Sequence, residues 1–269
     1  MATQAAQARR FLELHRPGAP LLMPNPWDAG SARVLASIGF EALATTSSGF
    51  AATLGRLDGA VTRDEALSHA ELLAAAVDVP VSADLEHCFA DDPAGVAETV
   101  TLAVDAGLAG CSVEDWSGRA VYEFDHAVER VAAAADAAHR GDVHLVLTAR
   151  AENLIHGNPD LADTIARLQA YQEAGADVLF APGLSKLDDI RRVVSETDRP
   201  LNVLALPSSP TVAELAAAGV GRISVGGAFA YTAIGAVVAA GRELLDQGTY
   251  GYWATAGPGA TAARAAFNR

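Results

Sequence analysis

The sequence predicts a (β/α)8 barrel of the TIM type that is followed by extra C-terminal helices. Short apolar runs recur eight times in about 230 residues, and each precedes a longer, alanine-rich amphipathic segment. The runs are almost continuously apolar, which is typical of parallel strands covered on both faces. A doubly wound sheet is the alternative, but no G-x-G-x-x-G motif follows the first run and no Walker A sequence occurs.

The predicted elements follow one another along the chain in strand–helix order. Strands are predicted at residues 21–27, 42–48, 80–86, 110–116, 144–150, 177–183, 200–206 and 222–227. The helices with the clearest boundary signals are predicted at 62–77, 92–107 and 163–176. The first of these has Thr62 as its N-cap and acidic residues in its first turn. We expect residues 1–269 to form one barrel domain, with about 228–269 as a helical extension.

Composition limits the classes of function and the cellular compartment. A formal charge of −14 argues against nucleic acid and anionic membranes as partners. Only two cysteines, Cys88 and Cys111, occur, and no metal-ligand spacing links them, so a reducing cytoplasm is expected. The N-terminus lacks the apolar core of a secretory signal. We also expect no apolar run of the roughly 18–20 residues that a membrane span needs.

Polar residues gather where the predicted strands end. Strand ends in a parallel barrel normally face water, so polar residues are common there in any case, but in barrel enzymes the chemistry sits at this same end. Here the charges begin where the apolar runs have barely finished, which favours a functional site. The candidates are Asn25, Ser48, Gly49, Asp84, Glu86, Glu114, Arg150 and Asn202, with Asp58 in the connection after the second strand.

The acidic candidates suggest a metal site. Asp84 and Glu86 are two residues apart, so both should leave the same face of their strand, and Glu114 should come from the neighbouring strand. Three carboxylates at one barrel mouth repel one another unless a positive charge lies between them. Mg²⁺ suits such oxygen ligands, and Arg150 would hold an anionic substrate by two parallel hydrogen bonds. The alternative is an arginine–carboxylate network that ties the strands together without a metal.

Seven short motifs resemble the isocitrate lyase/phosphoenolpyruvate mutase superfamily in sequence and in order. They cover roughly residues 8–235 and are NPWDAGSAR (25–33), TSSGF (46–50), Asp58, ADLE (83–86), VEDW (113–116), TARAEN (148–153) and FAPGL (180–184). The resemblance implies a barrel enzyme that binds Mg²⁺, or Mn²⁺, and a small α-keto acid or its enolate. It also implies a C-terminal helix exchanged between subunits of a homodimer or homotetramer.

The resemblance also implies roles for individual residues. Asp84 resembles the direct metal ligand, and Arg150 the arginine that binds substrate. The carboxylates that resemble holders of metal-bound waters are Asp58, Glu86 and Glu114. The residues that resemble a substrate-binding wall are Ser48 and Gly49, with Asn25 and Asn202 as further candidates. Arg150, Glu114 and Ser48 are the expected catalytic residues.

Two departures from the family pattern narrow the expected reaction. The connection SGRAVYEFDH (117–126) lacks the K/R-x-C-G-H segment of the isocitrate and methylisocitrate lyases, and APGLSK (181–186) lacks the phosphonate-binding histidine of the phosphonate-processing members. We therefore expect a lyase or decarboxylase that cleaves a C–C bond of a small 2-keto or 2-hydroxy dicarboxylate through a metal-stabilised enolate. The alternatives are C–P chemistry of the mutase or phosphonopyruvate hydrolase type, and a non-catalytic barrel that binds a keto acid or a partner.

Overall fold

Eight parallel strands form a barrel in the computed structural model, which describes residues 2–268. The strands are β1 (Leu21–Met23), β2 (Leu43–Ala44), β3 (Val81–Asp84), β4 (Gly110–Glu114), β5 (Val146–Arg150), β6 (Val178–Phe180), β7 (Leu201–Leu204) and β8 (Arg222–Ser224). Hydrogen bonds join them in the order β1-β8-β7-β6-β5-β4-β3-β2. The Ala44 N–H donates to the Pro24 carbonyl at 3.1 Å and so joins β1 to β2. The prediction of a (β/α)8 barrel is confirmed.

Helices occupy the connections between the strands and continue beyond the last one. They are α1 (Gln4–Leu14), α2 (Ala29–Ser37), α3 (Ser47–Thr53), α4 (Arg63–Ala76), α5 (Pro93–Asp105), α6 (Phe124–Ala138), α7 (Leu161–Glu173), α8 (Leu187–Glu196), α9 (Val212–Ala217), α10 (Ala228–Gln247) and α11 (Trp253–Phe267). The predicted cap of α4 is present: the Thr62 side chain accepts from the Glu65 N–H, and the Glu65 carboxylate accepts from the Thr62 N–H.

Seven of the eight strands end earlier than predicted, and two of these corrections affect the site. The strand prediction for 42–48 is wrong after Ala44, because Thr46 caps α3 and places Ser47 and Ser48 in a helix. The prediction for 80–86 is wrong after Asp84. Glu86 lies in a turn and has a φ of 51°. The alternation of side chains along a strand, which should put Glu86 on the same face as Asp84, therefore does not extend to Glu86.

The barrel interior is unusually polar. Alternate strand residues turn inward, and those on β3, β5, β7 and β8 include Ser82, Thr148, Asn202 and Arg222, all at least 96% buried. The residues between them, such as Leu147, face the helices and belong to the main apolar core. Branched aliphatic layers usually fill such barrels. Here the interior contains hydrogen-bonding groups and one cation.

The Asn25 side chain closes the barrel where the backbone ladder is thinnest. Its carbonyl oxygen accepts from the N–H groups of Val225 and Gly226, at 3.0 and 2.9 Å. Its amide nitrogen donates to the Thr45 carbonyl at 2.9 Å. One buried side chain therefore connects the ends of β1, β2 and β8.

Helix α10 differs from the other helices in its exposure. It has 20 residues. Its most apolar stretch of 18 residues has a mean hydropathy of 1.3, and only 6% of that stretch is buried. By length and composition it could cross a membrane, so the expectation that no segment reaches that limit is wrong. Val237 and Leu245 are 72% and 86% exposed. The following helix, α11, returns to pack against α2.

Candidate active site

A cavity of about 220 Å³ opens at the carboxyl end of the barrel and extends into its polar interior. A second cavity, of about 540 Å³, adjoins it beneath the loops that follow β3, β4 and β5. The two share wall residues, among them Ser47, Asp58 and Arg150. A larger surface groove, of about 630 Å³, is lined by residues such as Leu22 and Ile38 and contains none of the predicted site residues.

Arg150 is the centre of the site. Its three guanidinium nitrogens each pair with a different carboxylate: Nη1 with Asp84 at 2.9 Å, Nη2 with Glu114 at 3.0 Å and Nε with Glu152 at 2.7 Å. These residues come from β3, β4 and the end of β5. Arg150 therefore joins the ends of three strands through one arginine–carboxylate network. Each Arg150 Nη nitrogen still carries a second hydrogen that can face the cavity.

Asp84 is fixed by its neighbours as well as by Arg150. Its backbone N–H donates to the Thr45 hydroxyl at 2.8 Å, and its Oδ2 accepts from the Ser47 N–H at 3.2 Å. The Glu86 N–H approaches its Oδ1 at 3.4 Å. The first turn of α3 and the turn after β3 therefore hold this carboxylate at the boundary between the two cavities.

Glu86, the second acid of the predicted pair, lines the site from a turn and not from a strand. It lies in a turn in which Glu86, Cys88 and Phe89 all have positive φ, between 51° and 58°. Non-glycine residues rarely adopt this conformation. Its side chain lines the second cavity. Burial, together with the charges of Asp84 and Asp58, raises the pKa of Glu86 to about 7.

Glu114 and Glu152 lie behind the mouth and are almost fully buried. Burial raises the pKa of both carboxyls, although the Arg150 charge opposes the rise. Asp115 supports them from the rear: it accepts from the Glu152 N–H at 2.7 Å and from the Tyr171 hydroxyl at 2.6 Å. Sequence analysis included Glu152 only as part of the TARAEN motif (148–153) and gave it no role, since contact with Arg150 depends on the fold.

The acids at this mouth outnumber the cations, and that excess fits a metal ion. Arg150 is the one arginine or lysine that forms an ion pair with their carboxylates among the described residues, and His156 Nε2 lies 3.7 Å from Glu152. Around it stand five carboxylates: Asp58, Asp84, Glu86, Glu114 and Glu152. Burial is the main cause of the raised pKa of Glu86, and the charges of Asp84 and Asp58 add to it, as expected of neighbouring carboxylates. A hard cation with oxygen ligands would relieve that repulsion.

These carboxylates are too far apart to form a compact cage. Within residues 2–268, three His, Cys or Asp/Glu ligand atoms come within 4.8 Å of one another only at His139, His144 and Asp177, which lie at the opposite end of the barrel. The mouth therefore suits an ion such as Mg²⁺, which keeps several waters and needs few direct protein ligands.

The other predicted site residues are divided between the cavity wall and its support. Ser48 and Asp58 line the cavity, and the Ser48 hydroxyl lies 3.2 Å from that of Thr46. Asn25 also lines it, but its amide is largely committed to closing the barrel. Gly49 is buried, and its N–H caps α3 by donating to Thr46; a Cβ at this position would lie 2.5 Å from the Thr46 methyl. Gly49 therefore serves packing.

Asn202 lines the deeper part of the cavity beside a residue that sequence analysis missed. Its amide nitrogen donates to the Ser224 hydroxyl at 3.0 Å, and its oxygen accepts from Arg222 Nε at 2.9 Å. Arg222 is only 3% exposed. Its sequence signal is a charge that opens an otherwise apolar strand, two residues before Ser224 and on the same face.

The connection after β4 is a tight hairpin. Trp116 and Val121 form an antiparallel bridge across it, and the Ser117 hydroxyl bonds to the turn. Arg119 lines the second cavity. The Trp116 ring stacks on that of His156, with centroids 3.6 Å apart. This stack and the hairpin together form the outer wall of the second cavity.

Comparisons with known proteins agree with this architecture. A family model described as phosphoenolpyruvate phosphomutase matches residues 11–245. The crystal structure of a Burkholderia cenocepacia J2315 protein with the provisional name lyase/mutase superposes with a TM-score of 0.93 and 49% identity, over 97% of this chain and 95% of that one.

Two further relatives carry names that specify a reaction. The crystal structure of 2,3-dimethylmalate lyase superposes with a TM-score of 0.82 and 30% identity, over 93% of this chain and 90% of that one. The 2-methylisocitrate lyase of Escherichia coli K12 is 30% identical over 222 residues, which is 74% of each chain.

Proposed function

The chain belongs to the phosphoenolpyruvate mutase/isocitrate lyase superfamily, and from that premise we propose that it is a Mg²⁺-dependent lyase or decarboxylase. Its proposed substrate is a small 2-keto or 2-hydroxy dicarboxylate, of which it cleaves one C–C bond; Mn²⁺ would serve in place of Mg²⁺. The observation that carries this proposal is the excess of carboxylates around Arg150 at the mouth of a small polar cavity.

In this proposal each group at the mouth has a distinct task. Asp84 holds the metal directly, while Asp58, Glu86 and Glu114 hold it through water. A bound Mg²⁺ would supply a Lewis acid that stabilises negative charge on a substrate oxygen. Arg150 binds a substrate carboxylate with its free Nη hydrogens.

The wall of the cavity orients the substrate. The Ser48 hydroxyl lies on that wall, and Asn25 and Asn202 keep the surrounding strand ends in place. Ile155 and Phe180 supply an apolar edge that limits water near the reacting bond. In this proposal Arg150, Glu114 and Ser48 are the catalytic residues, with Glu152 positioning Arg150 through its Nε.

C–C cleavage is favoured over C–P chemistry by the residues that surround the mouth. The segment after β6, APGLSK, offers no histidine for a phosphonate. Two relatives are named as lyases of carboxylic acids. C–P chemistry is the second candidate, since the matching family model is described as a phosphomutase. A barrel that binds a keto acid without turnover is the third.

We also propose that the chain functions as a homodimer or homotetramer in which α10 covers a neighbouring subunit, while α11 packs on α2 of its own chain. The exposed apolar side chains of α10, among them Val237 and Leu245, support this arrangement. Exposed apolar patches of this kind usually mark interfaces. The arrangement keeps residues 1–269 as one barrel domain with a helical extension from about residue 228.

Isothermal titration with Mg²⁺ and oxalate, a mimic of the pyruvate enolate, tests the metal site. We expect oxalate binding to require Mg²⁺ in the wild type and to weaken at least ~100-fold in Asp84→Asn, as for loss of a direct charged ligand. Asp136→Asn is the matched control, because Asp136 is exposed on α6 far from the mouth. Metal-independent binding, or unchanged binding in Asp84→Asn, would refute the metal site.

Turnover assays then separate the three candidates. Decarboxylation of oxaloacetate or cleavage of 2,3-dimethylmalate would release pyruvate, which a coupled lactate dehydrogenase reaction detects. Turnover of phosphonopyruvate with neither of these would favour C–P chemistry. Mg²⁺-dependent oxalate binding with no turnover of a wider set of keto and hydroxy diacids would favour the non-catalytic barrel.

A further inference from the structure

Arg222 is a buried cation without a counterion. It opens β8, turns into the barrel and is only 3% exposed. No carboxylate of the described residues forms an ion pair with it, in contrast to Arg150, which has three. Burial of a charge is unfavourable unless an opposite charge or strong hydrogen bonds compensate it.

The groups that surround Arg222 are neutral. Its Nε donates to the Asn202 oxygen at 2.9 Å, and its Nη1 donates to the Thr148 hydroxyl at 3.1 Å and to His15 Nε2 at 3.2 Å. His15 acts as an acceptor because its Nδ1–H donates to the Phe11 carbonyl at 2.7 Å. Burial, with the Arg222 charge, lowers the pKa of His15 to about 3, so this ring stays neutral.

The second terminal nitrogen of Arg222 faces the cavity. Nη2 makes no hydrogen bond to any described residue. If it were fully buried it would be an unsatisfied donor, but among the described residues the only fully buried side-chain nitrogen without a partner is Arg130 Nε. Arg222 Nη2 is therefore open to the space that Arg222 lines, together with Asn202 and Ser224. An open pair of N–H donors on a fixed guanidinium matches the geometry of a carboxylate.

The charge of Arg222 persists at neutral pH although its surroundings oppose it. Burial, and then the charge of Arg150, lowers the pKa of Arg222 to about 9. The side chain therefore keeps its proton at pH 7. An anion placed at Nη2 would supply the missing counterion, and it would do so at a buried guanidinium, where the Coulomb attraction is stronger than at the surface.

We propose that the deep end of the barrel cavity is a carboxylate subsite, in which Arg222 binds the second acid group of the substrate. This inference rests on the proposed function for the first acid group, at Arg150. It narrows the substrate class to short diacids whose two carboxylates reach both ends of one cavity. Asn202, Thr148 and His15 are positioning residues that fix the guanidinium plane.

The two arginines line one cavity. Its volume is about 220 Å³, and both Arg150 and Arg222 are among its wall residues. A short diacid can therefore contact both guanidinium groups from within this cavity.

A pair of matched ligands isolates the second carboxylate. Lactate and malate share a 2-hydroxy acid head, and malate adds one carboxylate. We would measure both by isothermal titration, with Mg²⁺ and with EDTA, and would add succinate, which lacks the hydroxyl head. The proteins are the wild type, Arg222→Met, Arg222→Lys and the control Arg140→Met, in which the altered arginine is exposed. Circular dichroism verifies the fold of each.

The wild type should bind malate roughly 10- to 100-fold more tightly than lactate, as expected for a bond between charged groups. In Arg222→Met this preference should fall to about threefold or less, while lactate affinity is unchanged. Arg222→Lys should retain part of the preference, and Arg140→Met all of it. Arg222→Met removes a buried charge but also leaves acceptors on Asn202, Thr148 and His15 without this donor, and Arg222→Lys keeps a donor there.

Other outcomes separate this proposal from the metal site. A malate preference that survives in Arg222→Met, or no preference in the wild type, would overturn the subsite. Failure of both malate and succinate to bind would overturn it as well. If the preference depends on Arg222 but no ligand requires Mg²⁺, the subsite stands and the proposed metal-dependent function fails.

Discussion

Replacing Tyr171 by phenylalanine tests the buried support behind Arg150. The Tyr171 hydroxyl donates to Asp115 at 2.6 Å, and the ring is fully buried. Burial, together with the Asp115 charge, raises the pKa of Tyr171 well above its usual value, so the hydroxyl keeps its proton and remains a donor. The substitution removes one hydrogen bond to a charged acceptor and leaves no large cavity.

The magnitude follows from the partners that Asp115 keeps. A hydrogen bond to a charged group contributes about 1.5–3 kcal/mol. Asp115 retains Arg167 at 3.1 Å and the Glu152 N–H at 2.7 Å, so its charge is not left unpaired. We therefore expect the lower half of the range, about 1.5–2 kcal/mol, and a fall in Tm of roughly 3–8 °C.

Urea unfolding monitored by circular dichroism, at one protein concentration, measures the free energy of unfolding for both proteins. Tyr250→Phe is the control, since Tyr250 is 64% exposed, and its cost should stay within about 0.5 kcal/mol. A loss below 0.5 kcal/mol in Tyr171→Phe, or equal losses in the two variants, would refute the role assigned to the Asp115 network.

Three further predictions concern other parts of the molecule. Burial raises the pKa of Asp177, but hydrogen bonds from His139, the Leu147 N–H and His144 outweigh it and lower the pKa overall. The stability that the ionised Asp177 contributes is therefore present above pH ~4 and is lost as the pH falls through the pKa of Asp177 in the folded protein. The free energy of unfolding should accordingly fall less steeply with acid in Asp177→Asn than in the wild type. Both cysteines are buried and unpaired, and burial raises both thiol pKa values, that of Cys88 to about 12. Iodoacetamide at pH 8 should therefore label neither cysteine in the native protein and both after unfolding. Rapid labelling of the native protein would contradict this prediction. Val237→Glu places a charge on the exposed face of α10 and should shift light-scattering mass to that of a monomer; an unchanged assembly would show that α10 is not the interface.

The strands could be predicted because their signal is local. A parallel strand covered on both faces is a short apolar run, and each of the eight runs contains a strand in the structure. The order of motifs along those strands then predicted the family. Asp84, Glu114 and Arg150 were placed together correctly because carboxyl ends of neighbouring parallel strands meet at one mouth.

The remaining features depend on geometry that the residue types do not reveal. Glu86 does not lie on the predicted face because its backbone adopts a left-handed conformation. The segment ADLEHCF contains no glycine, so the sequence gives no indication of a positive φ there. Gly49 was expected to bind substrate, but its N–H donates to the Thr46 hydroxyl and caps α3. Arg222 escaped notice because barrel interiors are expected to be apolar, and a charge that opens a strand is usually solvated.

The side chain of Asn25 has a consequence for how the chain is made. Its oxygen bonds to N–H groups that follow it by 200 and 201 residues. During synthesis, this bond cannot form until almost the whole barrel has left the ribosome, and β1 must wait for β8 with its edge unpaired. Contacts over such separations form late, because loop closure must precede any gain from them. The bonds from Asn25 to the end of β8 are therefore among the last of the barrel to form.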